Sequence, residues 1–510
     1  MKQANRVIKN TGILYLQMGL TMFASLYITR LILITLGDAD YGIYNLILGS
    51  IGMLSFLNGA MTTASQRFMS FARGEKKVGK QKTIFNSSII LHIIVGVFFV
   101  ILLEVLGFFL FDIIFKIPED RVQIAKFTYQ FLIINAFFTF ISVPYTAVVN
   151  ARENMLFEAI LKIIQTILLL IATLYLTHQN YDKLLMYGFL ITLITIILFF
   201  IRLIYCHLFY EEVVINFKKY KDKKIFKEMY THAGWSLLGS TSSIITMQGT
   251  TLLLNNFFGV IVNAAQGITN QISGQLMTFS NAMLKSLNPV IVKNEGASDR
   301  KKMLLASITG NKLSFFLLSF FSIPILIEMP FILKFWLKQA PEYSVIFCRL
   351  TIVRLMFSQL SVTFPTAIGA TNKIKRSQMV ESIIYIALLP ASYIMFKNNF
   401  SPQIIYINLI AMVLMLLLSR LYFTNKLCGL DIKYYSKNVI SKCLIIAVVT
   451  IVISLIPIKY FDQSFFRLFL VAAISSIIFV TLFFIIGLSH LEKTALLQIK
   501  EKLKFLKKTI

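Results

Sequence analysis

Arg354 stands eleven residues into an apolar stretch, 343–370, and Ser358, Ser361 and Pro365 follow it on one helical face. At a rise of about 1.5 Å per residue this is roughly half a bilayer deep, too far in for easy contact with headgroups. A guanidinium held at that depth is a bidentate donor for phosphate or carboxylate. A second set of polar residues forms a stripe. Within 260–290, Gln266, Asn270, Gly274, Asn281, Lys285 and Asn288 fall on one face about 100° wide, with Ser273 beside it. The preceding stretch, 232–256, does the same with Ser240, Gln248, Thr251 and Asn255. A stripe of amides running the full thickness and ending in a lysine reads as the wall of a hydrated cavity. The alternative is two helices hydrogen-bonded to each other. Asn288-Pro289 near the inner end lets the second helix bend.

Ionisable residues inside apolar stretches are costly, which makes them functional candidates. Arg349 is shallower than Arg354, and Lys285 lies in the cytoplasmic half of its stretch. Arg30, near the outer end of the first stretch, is placed equally well to line a cavity or to snorkel. Lys162, Arg202 and Arg420 lie near inner ends and are expected to snorkel. Among the acids, Glu104 and Glu328 are deep, while Asp112 and Glu381 lie near ends. Glu104 and Glu328 are available for coupling to Na⁺ or H⁺, although an interhelical hydrogen bond explains them as well. The deep charge is weighted toward cations, a lining that favours an anionic, hydroxyl-rich ligand.

These residues are positioned by fourteen apolar stretches, each near the 20 residues that a helix needs to cross a bilayer. They run over 11–35, 41–64, 84–114, 122–149, 155–177, 183–206, 232–256, 260–290, 308–335, 343–370, 378–397, 402–425, 438–458 and 464–488. Every second joint carries the Lys and Arg, beginning with Lys2, Arg6 and Lys9 and recurring at 67–82, 218–227, 293–302, 373–376 and 426–437. The joints between them, such as 38–40, 178–182 and 398–403, are poorer in both. The positive-inside rule then makes this an all-α polytopic membrane protein with both termini cytoplasmic.

Composition agrees. Hydrophobic residues are 57% and charged ones 14%, which excludes an ordinary soluble globule and a disordered chain. The net charge of +27 sits in the joints rather than along one groove. Anionic membrane lipid therefore explains it, and no nucleic acid is expected. The four cysteines, Cys206, Cys348, Cys428 and Cys443, have no paired spacing and suggest neither disulfides nor a metal site. The five histidines form no cluster, and there is no phosphate-binding glycine loop, so neither an enzyme nor a cofactor is expected. The first stretch is too long for a cleavable signal core and is expected to remain as a span.

A shift of about 223 positions brings the two halves into weak register. Phe56-Leu57-Asn58-Gly59-Ala60-Met61 falls on Phe279-Ser280-Asn281-Ala282-Met283-Leu284, and Gly74-Glu75-Lys76-Lys77 falls on Ala297-Ser298-Asp299-Arg300. Six spans separate the copies, so both halves keep one orientation, the parallel-repeat plan of many secondary transporters. The expected division is an N-lobe at 1–206, a basic linker at 207–231 and a C-lobe at 232–425. Two further spans follow at 426–490, then a basic amphipathic tail at 491–510 lying on the inner surface.

In its motifs the chain resembles a known family. Thr29-Arg30, Leu36-Gly37 and Asp40-Tyr41-Gly42-Ile43-Tyr44 are followed by Ser55-Phe56-Leu57-Asn58-Gly59-Ala60-Met61 and Ser65-Gln66-Arg67-Phe68. With Asn288-Pro289-Val290-Ile291-Val292-Lys293 and Ala370-Thr371-Asn372-Lys373-Ile374-Lys375, they resemble the polysaccharide flippases of the multidrug/oligosaccharidyl-lipid/polysaccharide (MOP) exporter superfamily, the Wzx-type O-antigen translocases in particular. The resemblance extends over essentially the whole chain. It implies two six-helix lobes in a V around a central cavity plus two C-terminal helices, with spans 1, 2, 7 and 8 at the lobe interface. Asn58 and Arg67, inside these motifs, join the residues expected at the cavity. It implies a bacterial inner-membrane flippase moving undecaprenyl-diphosphate-linked oligosaccharide from the cytoplasmic to the periplasmic leaflet. A polysaccharide polymerase and a chain-length regulator would then be partner proteins.

Three other readings share parts of this pattern. A multidrug exporter of the same superfamily takes organic cations and needs cavity carboxylates, yet spans 1, 7 and 8 contain no Asp or Glu. A peptidoglycan-precursor flippase shares the architecture but not the motif wording. A membrane glycosyltransferase or polymerase needs acid/base residues at a water-accessible face and a large outer loop, and this chain has neither. The topology makes a direct prediction. Cysteines at Asp40, Asn180 and Asn399 react with an impermeant thiol reagent outside intact cells, while cysteines at Lys77, Lys221 and Lys375 do not. Outside labelling of Lys221→Cys overturns the fourteen-span map.

Overall fold

The computed structural model describes residues 2–52, 55–111, 117–337 and 341–488. The tail at 491–510, Asp112 and the side chain of Arg30 lie outside the described residues. Among the described residues every regular element is helical, as expected where hydrocarbon offers backbone groups no other partner.

Two helices are long and bent. α1, Lys2–Gly52, turns at Gly37 (φ 77°, ψ 167°), and α7, Lys223–Gly296, turns at Gly259 (φ 77°, ψ −169°). Glycine adopts this backbone region without a Cβ clash, so each helix becomes two apolar limbs joined by an elbow. α2 spans Ser55–Gly74. Ten more helical runs are long and apolar enough to cross a membrane. They are α3 (Val78–Phe109), α4 (Glu119–Ala151), α5 (Met155–Thr177), α6 (Lys183–Phe209), α8 (Arg300–Ile327), α10 with α11 (Ser344–Gln359, Phe364–Ala370), α12 (Lys375–Lys397) and α13 (Ile404–Cys428). The last two runs are α14 to α16 (Ile432–Tyr435, Ser441–Ser454, Ile456–Tyr460), with a π-helical turn between α14 and α15, and α17 (Phe465–Leu482), continued by another. The short α9, Met329–Leu337, follows α8. With the limbs of α1 and α7, these runs are consistent with about twelve to fourteen spans among the described residues.

The chain divides into two compact units. The first holds Lys9–Ser240 and Val292–Asp299, and the second holds Met1–Ile8, Thr241–Ile291 and Arg300–Ile510. In the first, α4 packs on α2, α3 and α6. The basic linker is bound down within it. Buried Glu212 accepts from Arg152 Nε at 2.8 Å, a bond that lifts the arginine further above its ordinary pKa, while Asn86 Nδ2 donates to Val214 O at 2.7 Å. Arg121 donates to both Asp40 and Asp182, so three joints that the charge pattern puts on one side are tied together. Three joints of the opposite side also meet. Lys293 Nζ donates to Glu153 Oε1 at 2.7 Å, and Asn10 Nδ2 donates to Glu153 O at 2.9 Å.

The register of the sequence repeat recurs in the coordinates at 222 positions. It relates the elbows Gly37 and Gly259, the left-handed residues Lys76 and Ser298, and the starts of α3 and α8 at Val78 and Arg300. Cys206 Sγ donates to Tyr145 O, and Cys428 Sγ donates to Ala367 O, again 222 apart at both ends. The repeat even meets itself. A Cβ on Gly74 would lie 2.0 Å from Lys293 O, and one on Gly296 would lie 2.0 Å from Phe71 O. Each helix passes through the space that a side chain on the other would need.

Two expectations are corrected by the packing. Arg202 and Arg420 do not snorkel. Arg202 donates to Glu158 (3.3 and 3.4 Å) and to Ser142 Oγ at 2.7 Å. Arg420 donates to Glu381 (3.1 and 2.9 Å) and to Ser361 Oγ at 3.5 Å, so each half carries an Arg-Glu-Ser cluster, although not at the 222-position shift. Pairing in low dielectric replaces the hydration that a headgroup would have supplied.

In the second unit, α10 packs on α8 and α13, and α15 packs on α8 and α17. The C-terminal helices are clasped to this body by charge. Arg467 on α17 donates through Nε and Nη2 to the two oxygens of Glu328, both at 2.8 Å, and Lys312 Nζ donates to Gly487 O at 3.0 Å. Removing one partner leaves the other charge buried alone, so Arg467→Ala is expected to cost about 3–5 kcal/mol. The purified protein then melts at a lower temperature, and the apolar double variant Glu328→Leu/Arg467→Met recovers most of the loss. An unchanged melting temperature in Arg467→Ala contradicts the clasp.

Candidate functional site

Arg354 lies on α10 in the second unit, half-buried, facing Tyr385 of α12 and Tyr406 of α13. Its Nε is buried with no hydrogen-bond partner among the described residues. Both nearby-depth carboxylates of this unit are committed elsewhere, Glu328 to Arg467 and Glu381 to Arg420. The ion pair that would have made Arg354 purely structural is therefore absent among the described residues. Tyr406 is buried against Phe347, with ring centroids 4.3 Å apart, and the adjoining Cys348 Sγ lies 3.5 Å from Thr269 Oγ1 on the second limb of α7. Four helical segments thus converge around the guanidinium.

The second limb of α7 carries the amide face. Asn270, Gln271, Gly274, Gln275, Thr278 and Asn281 are exposed, while Leu276 is buried and Ile272 packs on the core. The face is wider than the stripe read from the sequence, because Gln271, Gln275 and Thr278 extend it by one residue toward its neighbour rows. Gln266 does not share it. It is buried and donates through Nε2 to Thr250 Oγ1 at 3.3 Å, a bond across the elbow to the first limb. Lys285 is half-buried, and Asn288 accepts from Thr366 Oγ1 at 3.0 Å. On the first limb Gln248 and Asn255 are exposed, Ser240 and Thr251 half-buried.

In the first unit, Asn58 is half-buried and accepts through its carbonyl from Thr62 Oγ1 at 2.8 Å. Arg67 is buried, with its guanidinium 4.4 Å from the Phe68 ring centroid and within the field of Glu75, Glu228 and Glu295, so its charge is compensated. Glu104 is exposed and accepts from Gln130 Nε2 at 3.1 Å. Glu328 is fully buried in its pair with Arg467. Arg349 donates to Leu326 O and Ile327 O, closing the carbonyl end of α8. Sequence reasoning passed over Arg467, Lys312, Tyr385 and Tyr406. For Arg467 and Lys312 the signal was present, as basic residues within apolar stretches. For the tyrosines it was not, since nothing in a linear pattern relates 385 and 406 to 354.

At span depth, therefore, Glu158, Glu328 and Glu381 are ion-paired and Glu104 is bonded to an amide. Such an arrangement can hold an anion and hydroxyl groups. It offers an organic cation no buried, uncommitted carboxylate among the described residues.

No protein-family model matches the chain, and no curated protein matches it. Solved structures do. A mutant of MATE superposes with a TM-score of 0.74 at 12% identity, covering 84% of this chain and 96% of that one. An outward-facing multidrug resistance MATE family transporter of the MOP superfamily gives 0.72 at 12% identity over 84% and 96%. A MOP superfamily transporter from Pyrococcus furiosus, described as having a binding pocket of reverse polarity that suggests a different function, gives 0.66 at 13% identity over 82% and 96%. The chain has the fold of the MATE transporters of the MOP superfamily. At this identity the likeness establishes the fold alone.

The side-chain geometry predicts a labelling pattern on α7. Cysteines replacing Asn270 and Asn281 react with a water-soluble thiol reagent, while those replacing Gln266 and Leu276 stay unmodified. Equal reaction at all four positions means that this limb has no wet face.

Proposed function

We propose that this chain is a membrane transporter that carries an anionic, hydroxyl-rich substrate. More specifically, we read it as a flippase for undecaprenyl-diphosphate-linked oligosaccharide, an O-antigen or capsule repeat unit, in the bacterial inner membrane. Movement runs from the cytoplasmic to the periplasmic leaflet by alternating access. One observation carries this reading. The buried described carboxylates at span depth, Glu158, Glu328 and Glu381, are all ion-paired, while Arg354 keeps a buried donor with no acceptor among the described residues. The exposed amides of α7 suit sugar hydroxyls, and Arg354 suits the diphosphate or an acidic sugar. With both termini cytoplasmic, an exported anion moves down the membrane potential, gaining about 2.3 kcal/mol per charge per 100 mV. The potential then supplies part of the drive in this reading, with Na⁺ or H⁺ exchange through Glu104 or Glu328 as an addition. Glu328 suits that role poorly, since it is locked to Arg467.

Multidrug export is the second reading, and the fold comparisons favour it, because the MATE structures include a multidrug resistance transporter. Against it stands the engagement of the carboxylates that organic cations would need. The Pyrococcus furiosus protein supports the idea that pockets of different polarity occur on this fold.

Arg354 separates the two. Arg354→Ala keeps normal membrane abundance but abolishes surface polysaccharide, with lipid-linked precursor accumulating on the cytoplasmic side. Arg354→Lys retains part of the activity, since charge survives while the planar fork is lost. Normal surface glycan in Arg354→Ala cells, measured beside protein abundance, rules out the anion site.

A further inference from the structure

Along α3 the large apolar side chains Val97, Ile101, Val105 and Phe108 are exposed on one face, which in a span of this composition is the face that meets lipid. Glu104 stands within that face, exposed, its carboxylate bonded to Gln130 Nε2 of α4 at 3.1 Å. A neutral amide orients a carboxylate but does not neutralise it, and a lone acid on a lipid face is costly. Nor is the bond needed to join the helices. Tyr129 Oη already donates to Leu103 O at 2.6 Å, and Gly107 lies so close to the Tyr129 ring that a Cβ there would come within 2.6 Å.

Glu104 opens into a recess of about 410 Å³ between α3 and α4. Lys126 lines the same recess, its Nζ 5.8 Å from the centroid of the Phe111 ring. Gln123, Lys126, Phe127 and Gln130 follow one another at three- and four-residue spacing on one face of α4. The recess thus presents one carboxylate, one ammonium and two amides, with exposed Phe108 and Phe127 at its rim. That combination matches a zwitterion carrying apolar chains.

We propose that this recess binds the headgroup of an aminophospholipid. The phosphate sits on Lys126 and Gln123, the primary ammonium on Glu104 and Gln130, and the acyl chains run along Phe108 and Phe127. A purely anionic headgroup leaves Glu104 without a counter-charge. A quaternary choline carries the charge but has no N–H to donate to the carboxylate. The site belongs to the first unit and does not depend on what the protein transports.

The test uses the full-length protein in nanodiscs containing equal amounts of phosphatidylethanolamine, phosphatidylcholine and phosphatidylglycerol. After mild release, native mass spectrometry counts the lipids retained. Phosphatidylethanolamine is expected to be kept at least about fivefold over each of the others, and Glu104→Gln and Lys126→Met each bring the three to parity. Equal retention by the unaltered protein overturns the proposal, and so does an ethanolamine preference that survives Glu104→Gln. A variant that does not fold leaves a second readout on the unaltered protein. Phosphatidylethanolamine with a photoreactive acyl chain labels α3 near Phe108 and α4 near Phe127, and labelling confined to other helices overturns the site.

Discussion

A charge inside hydrocarbon must find its counter-charge within the protein, and that requirement organises this molecule more than any single apolar contact. Glu328 holds Arg467, Glu158 holds Arg202, and Glu381 holds Arg420. The first pair fastens α17 to the end of α8, so the C-terminal helices belong to the body of the second unit. The other two lie on corresponding helices of the two halves, up to about a turn out of the 222-position register, each with a serine bonded to the arginine. Such pairs contribute little net stability when whole, because desolvation offsets attraction, yet breaking either side is costly. They therefore specify which helix lies beside which. Once they are satisfied, Arg354 is conspicuous as a cation whose Nε has no acceptor among the described residues.

Duplication explains why so many features occur twice. The glycine elbows in α1 and α7, the left-handed residues Lys76 and Ser298, and the cysteine thiols bonded to carbonyls on α4 and α11 all repeat at 222 positions. The reciprocal close approach of Gly74 and Gly296 goes further, since the two copies touch through equivalent atoms. A larger residue at either glycine would push the helices apart, which accounts for both positions at once.

Much of this was legible in the sequence. Span length and alternation of joint charge reflect local physics, backbone satisfaction and lipid charge, and they yielded the all-helical plan of many membrane-crossing helices. The repeat was legible at nearly the right shift, although few side chains matched. What failed to show was whatever depends on distant partners. Arg202 and Arg420 lie close to span ends, where snorkelling is the local expectation, and only the packed helices bring Glu158 and Glu381 to them. Glu328 and Arg467 are 139 positions apart. Gln266 left the predicted stripe because a helical wheel assumes a straight helix in isolation, whereas this limb folds back at Gly259 and meets Thr250. The exposed amides of α7 were found by periodicity, and the residues that bend or clasp the helices were not.

The fold alone serves transporters of differing substrates, so recognition must be argued from charge. The most direct measurement is equilibrium binding to the purified protein of a polyprenyl-diphosphate saccharide and, in parallel, of a lipophilic organic cation such as tetraphenylphosphonium. Binding of the diphosphate saccharide, with no detectable binding of the cation, is the result expected from buried carboxylates that are ion-paired and an arginine whose Nε has no acceptor among the described residues. Tight binding of the cation without response to the diphosphate saccharide would contradict the account.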